Sequence, residues 1–169
     1  MIIQMPDGLA FQRTSAERIL RLRHDVLRQG LPIECAHFEG DRANGTCHYA
    51  AFPTTKTDGP DPEPVCCASF MLNNEWKGMP AYQLRGMATA FTYQHKGIGK
   101  LFLPWCEDAI VLGTPIRVLW CNARMSAVGF YEKQGWNVAS APFMIPEAGM
   151  HRKMTKALLD HPAAQTGTP

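Results

Sequence analysis

Long apolar runs are missing from this chain of 169 residues; nothing in it approaches the roughly eighteen consecutive apolar positions of a membrane-spanning helix, so no membrane association is expected. Charge of one sign is equally scarce. Seventeen Lys and Arg stand against fifteen Asp and Glu, a formal +2, and the basic residues form no dense run, which gives no reason to expect a nucleic-acid partner. The six cysteines lack the C-x-x-C spacing of a redox or zinc motif, Cys66 and Cys67 are adjacent, and Cys47, Cys106 and Cys121 sit in apolar surroundings typical of buried thiols. The six histidines are scattered with no H-E-x-x-H or equivalent helical pair, so no metal site is expected. Met1 to Asp7 shows no basic region followed by an apolar stretch, and no secretory leader is expected from it. With 46% apolar and 19% charged residues, the composition is that of a reduced, cytoplasmic, globular protein able to bury its own core. Internal repeats and an interdomain linker are both absent; a single domain is expected over 1–160, with a small, polar, frayed tail over 161–169.

What is present reads as a mixed α/β chain. Thr14 and Glu17 have the spacing of a capping box, Ile19, Leu22, Val26 and Leu27 give the following helix an apolar face, and Gly30-Leu31-Pro32 stops it. A turn over Asp41–Thr46 leads to an apolar stretch Cys47–Phe52, paired across the loop Thr57–Pro62 with a second strand over Val65–Leu72. Asn73 to Met79 is polar and turn-like, and Tyr82 to Thr92 is a further strand despite Gly86. A helix is expected over Gly97–Leu112, with a kink or late start at Pro104. Ile116–Cys121 is a short strand, and Ala123–Gln134 a helix closed by Gly135. Trp136–Ala139, Phe143–Ile145 and Met150–Ala157 complete the strands. Early strands followed by alternating strands and helices define the class.

The segment richest in chemistry is Tyr93-Gln94-His95-Lys96-Gly97-Ile98-Gly99-Lys100, between a strand and an amphipathic helix. A helix begins with unpaired amides and a partial positive charge, which together receive phosphate oxygens. Gly97 and Gly99 let a diphosphate approach the backbone, and Lys96 and Lys100 add charge around it. The pattern is neither a dinucleotide fingerprint, since Phe102 stands where the third glycine belongs, nor a P-loop. On its own it is also compatible with a tight turn that binds nothing.

Its neighbours narrow the reading. Gln94-x-x-Gly97-x-Gly99 matches the Gln/Arg-x-x-Gly-x-Gly/Ala motif of the Gcn5-related N-acetyltransferases. Leu84 to Thr89 resembles that family's fourth strand, and Leu119 to Arg124 with Ala127 to Trp136, including Phe130-Tyr131, resembles its fifth strand and the helix after it. The likeness covers about 84 to 136. Further on, Phe143-x-Ile145-Pro146-Glu147-x-Gly149-x-His151 is similar to a segment of a subset of small bacterial acetyltransferases, with Met150 where those have Pro.

The resemblance implies an acyl-CoA N-acyltransferase fold, a central, mostly antiparallel twisted sheet flanked by helices and wedged open between strands four and five. It implies an enzyme that moves acetyl from acetyl-CoA, its cosubstrate, directly to a primary amine of a small molecule or peptide, and a homodimer is the expected assembly. Met87, Ala88 and Thr89 would offer backbone groups to the pantetheine arm, while the amides of Gln94, His95, Lys96, Gly97, Ile98, Gly99 and Lys100 would hold the pyrophosphate. His95 departs from the glycine common at its position. Asn122 would lie beside the cofactor or cap a helix starting near Ala123, or both. Tyr131 would be the catalytic acid that protonates the departing thiolate. For the base that deprotonates the amine, His151 has the most suitable ordinary pKa, with Glu34, Glu75 and His48 as further candidates. Cys121, with no partner histidine assigned, reads as packing rather than as a nucleophile. Two other readings stay open: a non-catalytic sensor of CoA compounds that controls a partner, and a dimeric structural domain that has lost the cofactor.

Overall fold

In chain order, β1 (Ile3–Met5) and β2 (Leu9–Thr14) precede helix α1 (Ala16–Leu27), and β3 (Cys47–Pro53), β4 (Cys66–Trp76) and β5 (Met79–Thr89) follow it. Helix α2 (Ile98–Gly113), β6 (Val118–Arg124), the short helix α3 (Val128–Lys133), β7 (Asn137–Val138), β8 (Phe143–Ile145) and β9 (Gly149–Ala157) complete the chain. This computed structural model describes residues 3–5, 8–55, 61–146 and 148–160; the expected tail over 161–169 and most of the loop at Thr57–Pro62 lie outside it. The strands form one sheet in the order β1-β2-β3-β4-β5-β6-β9-β7, with β8 on β9. Every pairing is antiparallel except that of β5 with β6. The expected fourth and fifth strands are therefore β5 and β6, shifted by one because β1 adds a strand at the edge. Among the described residues, no helix is long and apolar enough to cross a membrane.

Both faces of the sheet are covered, which is why β3 reads as a nearly unbroken apolar run. Cys47, Tyr49 and Ala51 of β3 join Phe102, Leu103, Cys106 and Ile110 of α2 in the larger core, whereas Ala50 and Phe52 join Ile19 and Leu22 of α1 on the other face. Helix α2 runs unbroken through Pro104, so the expected late start does not occur. Helix α1 begins one residue later than expected: Thr14 ends β2, and Ser15 is the N-cap, without a side-chain capping bond. The segment Asn73–Met79 is mostly strand rather than turn. Strand β4 continues to Trp76, and the turn shrinks to Lys77 and Gly78, both left-handed (φ 53° and 70°), as a two-residue hairpin turn requires.

Two irregularities open the sheet. Strands β5 and β6 pair only at Tyr82–Leu119 and Gln83–Trp120, and beyond these positions they separate. Two residues further along β5, the register against β4 jumps from Ser69–Arg85 to Cys67–Ala88, an extra residue on β5 that constitutes a β-bulge. Gly86 sits in it at φ 61°, and a Cβ there would lie 2.6 Å from Phe38 and 2.9 Å from Arg23 Nε. The bulge also inverts side-chain parity: Leu84 packs toward α2, yet Ala88, four residues on, packs toward α1. Sequence reasoning found Gly86 unhelpful for a strand; it is the residue that allows the strand to bend away.

A polar cluster underlies the bulge. Arg23, fully buried, donates through Nη1 to both carboxylate oxygens of Asp41 (3.0 and 2.8 Å) and through Nη2 to Ser69 Oγ. His48 bonds Ser69 Oγ at 2.7 Å and the Asp41 carbonyl at 2.8 Å. Asp41 Oδ2 also accepts from the Phe38 amide at 2.9 Å, which fixes the Phe38 ring 4.5 Å from the Arg23 guanidinium.

Candidate active site

Where β5 and β6 part, two cavities meet. The first, about 760 Å³, is lined by Met87, Ala88, Thr89, Gln94, His95, Gly97, Ile98, Gly99 and Lys100, with Ser126, Phe130 and Tyr131 opposite. The second, about 360 Å³, is lined by Arg28, Phe38, Gln83 to Met87, Cys121 to Arg124, Tyr131 and His151. Leu27, Met87, Arg124, Ala127 and Tyr131 belong to both.

The larger cavity is built mainly from one contiguous stretch. A single 3-10 turn at Phe91–Tyr93 follows β5, then His95 (φ 59°) and Gly97 (φ 80°) take left-handed conformations before α2 begins at Ile98. Left-handed residues alternating with ordinary ones turn successive amides to one side. Ile98 and Gly99, the first two residues of a sixteen-residue helix, have no intrahelical acceptor for their amides. A Cβ at Gly97 would meet no atom within 4 Å, so glycine is needed there for its dihedral and the space before it is open. His95 keeps the left-handed geometry that glycine ordinarily supplies at its position.

Two residues of this stretch are engaged elsewhere. The Gln94 side chain donates to the Thr89 carbonyl at 3.0 Å and its amide to Phe91 at 3.3 Å, so Gln94 braces the loop against β5. Lys96 is outside the cavity lining, its ammonium 5.2 Å from the Tyr93 ring centre, whereas Lys100 lies in the lining. The Ala90 amide bonds Val65 beside β4 at 2.9 Å; the alternation of an antiparallel strand then turns the Thr89 backbone toward the gap.

Tyr131 stands at the junction because of how α3 ends. The Trp136 amide bonds the Tyr131 carbonyl at 3.0 Å and the Gly135 amide bonds Glu132 at 2.9 Å, the paired bonds of a Schellman motif with Gly135 at C′. The accompanying apolar contact is between Tyr131 and Trp136, rings 5.3 Å apart, and Trp136 is itself held by a 2.9 Å bond from Nε1 to Glu107. Tyr131 is 8% exposed and its hydroxyl lies 3.8 Å from Met87 Sδ. Burial, reinforced by Cys121 and Cys66, pushes its phenol well above the ordinary value and keeps it protonated.

The smaller cavity gathers distant segments. His151, opposite Arg124 in the β6–β9 ladder, is buried; its Nδ1 donates to the Gly149 carbonyl at 2.8 Å, and no hydrogen bond to Nε2 is made among the described residues. Asn122 lies within β6, and α3 begins only at Val128, so the expected capping role is ruled out by geometry. Its Oδ1 is buried and has no hydrogen-bond partner, and the residue lines this cavity rather than the larger one. Of the four residues considered as bases, His151 alone lines it: His48 is locked in the Arg23–Asp41–Ser69 cluster, and Glu34 and Glu75 are exposed outside both cavities. Burial raises the Cys121 thiol to about 12, as befits packing and not nucleophilic work. All six cysteines are free. Arg28 and Phe38 fall in the segment Arg28–Arg42, which the sequence marks as a candidate lining of the acceptor cleft, whereas Arg85 was not singled out; an arginine in mid-strand was its signal.

No family model matches the sequence. An uncharacterised N-acetyltransferase of Bacillus subtilis, YitI, is 32% identical over 152 residues, 89% of this chain and 97% of that protein. Escherichia coli ElaA superposes over 92% of this chain and 99% of its own, with a TM-score of 0.66 at 15% identity. Arabidopsis thaliana NAA60 in complex with acetyl-CoA superposes over 88% of this chain and 98% of its own, with a TM-score of 0.67 at 12% identity, a likeness of fold. The class defined by this sheet and its split is the acyl-CoA N-acyltransferase fold. The chain belongs to the Gcn5-related N-acetyltransferase family.

Proposed function

We propose that this protein is an acetyl-CoA-dependent enzyme that transfers acetyl directly to a primary amine. The observation that carries the reading is the meeting of the two cavities at Tyr131, one lined by the residues that open helix α2 and the other by His151. The amides of Ile98 and Gly99, with those of the left-handed turn His95–Gly97 and the charge of Lys100, suit a diphosphate. The Thr89 backbone, turned into the gap between β5 and β6, suits the amide-bearing arm of the donor.

In the reaction, the amine nitrogen bonds to the acyl carbon, the carbon–sulfur bond breaks, and one proton passes from the amine side to the sulfur side. His151 Nε2 accepts the proton that the attacking amine must lose, and Tyr131 supplies the proton that the departing sulfur takes up. Because burial keeps the Tyr131 phenol protonated, its proton is available at any ordinary pH. Asn122, with an unpaired Oδ1 beside His151's cavity, accepts a hydrogen bond from the amine or from a water on its path. Lys96 contributes general positive charge at the rim rather than a direct contact.

Calorimetric titration of CoA-free protein with acetyl-CoA tests the reading. Saturable binding near 1:1 is expected, and it disappears in a Gly97→Glu, Gly99→Glu double variant, which puts two carboxylates and a disfavoured dihedral where the anion would sit. Folded wild-type protein that binds no acetyl-CoA would sink the proposal.

A further inference from the structure

The smaller cavity has a charge character that the transfer reaction does not itself require. Arg28, Arg85 and Arg124 line it, and no Asp or Glu appears among its described lining residues. None of the three forms an ion pair among the described residues, although six other cationic side chains and His24 do. Asp41, the buried carboxylate closest at hand, is committed to Arg23. The guanidiniums of Arg85 and Arg28 lie 4.9 and 5.5 Å from the centre of the Phe38 ring, which Arg23 also covers. Arg85 spends Nη1 on the Glu39 carbonyl (3.3 Å) and on Met71 Sδ (3.6 Å), Arg28 spends Nη1 on the Leu27 carbonyl (3.1 Å), and each keeps further donors. Half-buried cations stacked on an aromatic face, with donors to spare and no ion-pair partner among the described residues, make an incomplete arrangement. Burial holds the Arg85 guanidinium below its usual value, with Arg23 and Arg28 adding to that effect and Asp41 and Glu75 opposing it.

We propose that the acceptor is a primary amine that also carries an oxyanion, a carboxylate or a phosphate, held by Arg85 and Arg28 across Phe38 while its amine faces His151. This rests on the acetyl-transfer reading above and names the substrate class of that same site. A volume of about 360 Å³ suits a molecule the size of an amino acid. A polyamine is disfavoured, because its charges would meet unpaired guanidiniums.

The test is steady-state CoA release from acetyl-CoA with matched amines: the L-amino acids and β-alanine against their carboxamides, 2-aminoethyl phosphate against ethanolamine, and spermidine as the cationic arm. At least one oxyanion-bearing amine is expected to exceed its neutral partner in kcat/KM by about 100-fold, since a site built for a charged group rejects its absence strongly. The carboxylate and phosphate arms identify the source of the oxyanion. Arg85→Gln and Arg28→Gln should each cut that ratio about tenfold or more, chiefly through KM, while the affinity for acetyl-CoA measured by calorimetry stays unchanged. Arg28→Lys, which keeps the charge and loses the planar fork, should recover part of it. Arg28 lies at the end of α1, outside the buried cluster, so its variants remain informative should Arg85→Gln fail to fold. Equal or better turnover of the neutral partners or of spermidine overturns the proposal, as does the absence of turnover for every oxyanion-bearing amine in protein that binds acetyl-CoA. A protein that binds no acetyl-CoA fails the underlying reading instead, and the calorimetry separates the two failures.

Discussion

The two cavities that meet at Tyr131 are built from different materials. The larger is faced mostly by the stretch from Met87 to Lys100: the end of β5, the left-handed residues at 95 and 97, and the opening amides of α2. The smaller is faced by side chains from stretches far apart in the chain, among them Arg28, Phe38, Gln83 to Met87, Cys121 to Arg124, Tyr131 and the start of β9. Backbone donors recognise a group common to many ligands and tolerate change in the side chains around them. Charged and aromatic side chains recognise one acceptor and can be exchanged without disturbing the strands that carry them. The division of labour between a shared donor and a particular acceptor is thus written into the kind of atoms each cavity presents.

Tyr131 belongs to both cavities, so its loss should break the comparison most severely. Tyr131→Phe keeps the ring against Trp136 and removes only the hydroxyl, and kcat should fall by about 100- to 10,000-fold. Acetyl-CoA affinity by calorimetry should be nearly unchanged, because the hydroxyl makes its one contact to Met87 Sδ. The wild-type rate should also show no alkaline decline attributable to this phenol up to about pH 10, since its pKa lies above the ordinary tyrosine value of about 10. A variant with full kcat would remove Tyr131 from the chemistry and leave it as packing.

The second break is confined to the acceptor side. Asp41→Ala strands the fully buried Arg23 cation without its carboxylate, and about 3–5 kcal/mol of stability should be lost in urea denaturation. The same change frees the Phe38 amide and loosens the ring on which Arg85 and Arg28 stack. Replacing both partners, Arg23→Met with Asp41→Leu, should recover much of the stability, because no isolated charge remains. A double variant no better than Asp41→Ala would mean that the cluster acts through its shape at Gly86 rather than through its charge balance.

The same contrast explains what was legible in the sequence. The donor loop could be read because its requirements are local: a strand end, glycine at fixed intervals and a helix start occupy consecutive positions. The split between β5 and β6 followed from the family resemblance, but its cause did not. Gly86 reads as a blemish in a strand until Arg23 and Phe38, some sixty and fifty residues earlier, are seen against it. Asn122 was misjudged as a cap because β6 and the turn after it continue to Ala127, and nothing local separates a strand end from a helix start in Asn122-Ala123-Arg124. His48 resembled a base by position and proved to be a buried polar partner, since its two partners, the Asp41 carbonyl and the Ser69 hydroxyl, come from different strands and loops. The convergence of the acceptor cavity's arginines was unreadable for the same reason: it depends on the bulge and the packing of α1.

The smallest effect tests the donor loop itself. His95 is exposed and left-handed, so Cβ strain there is offset by no buried packing. Relief of that strain is worth about 1–2 kcal/mol. A glycine in the same place gives back about 0.4–1 kcal/mol through the freer unfolded chain. His95→Gly should therefore raise stability by about 0 to 1.6 kcal/mol, a rise in Tm of at most about 3–6 °C for a chain of this size. The informative partner is His95→Ala, which removes the imidazole but keeps the Cβ. It should melt below His95→Gly, and the difference between the two isolates the backbone from the side chain. Equal melting of the alanine and glycine variants would mean that position 95 is not left-handed in solution, and the row of amides that distinguishes the backbone-built cavity from its neighbour would lose its geometric basis.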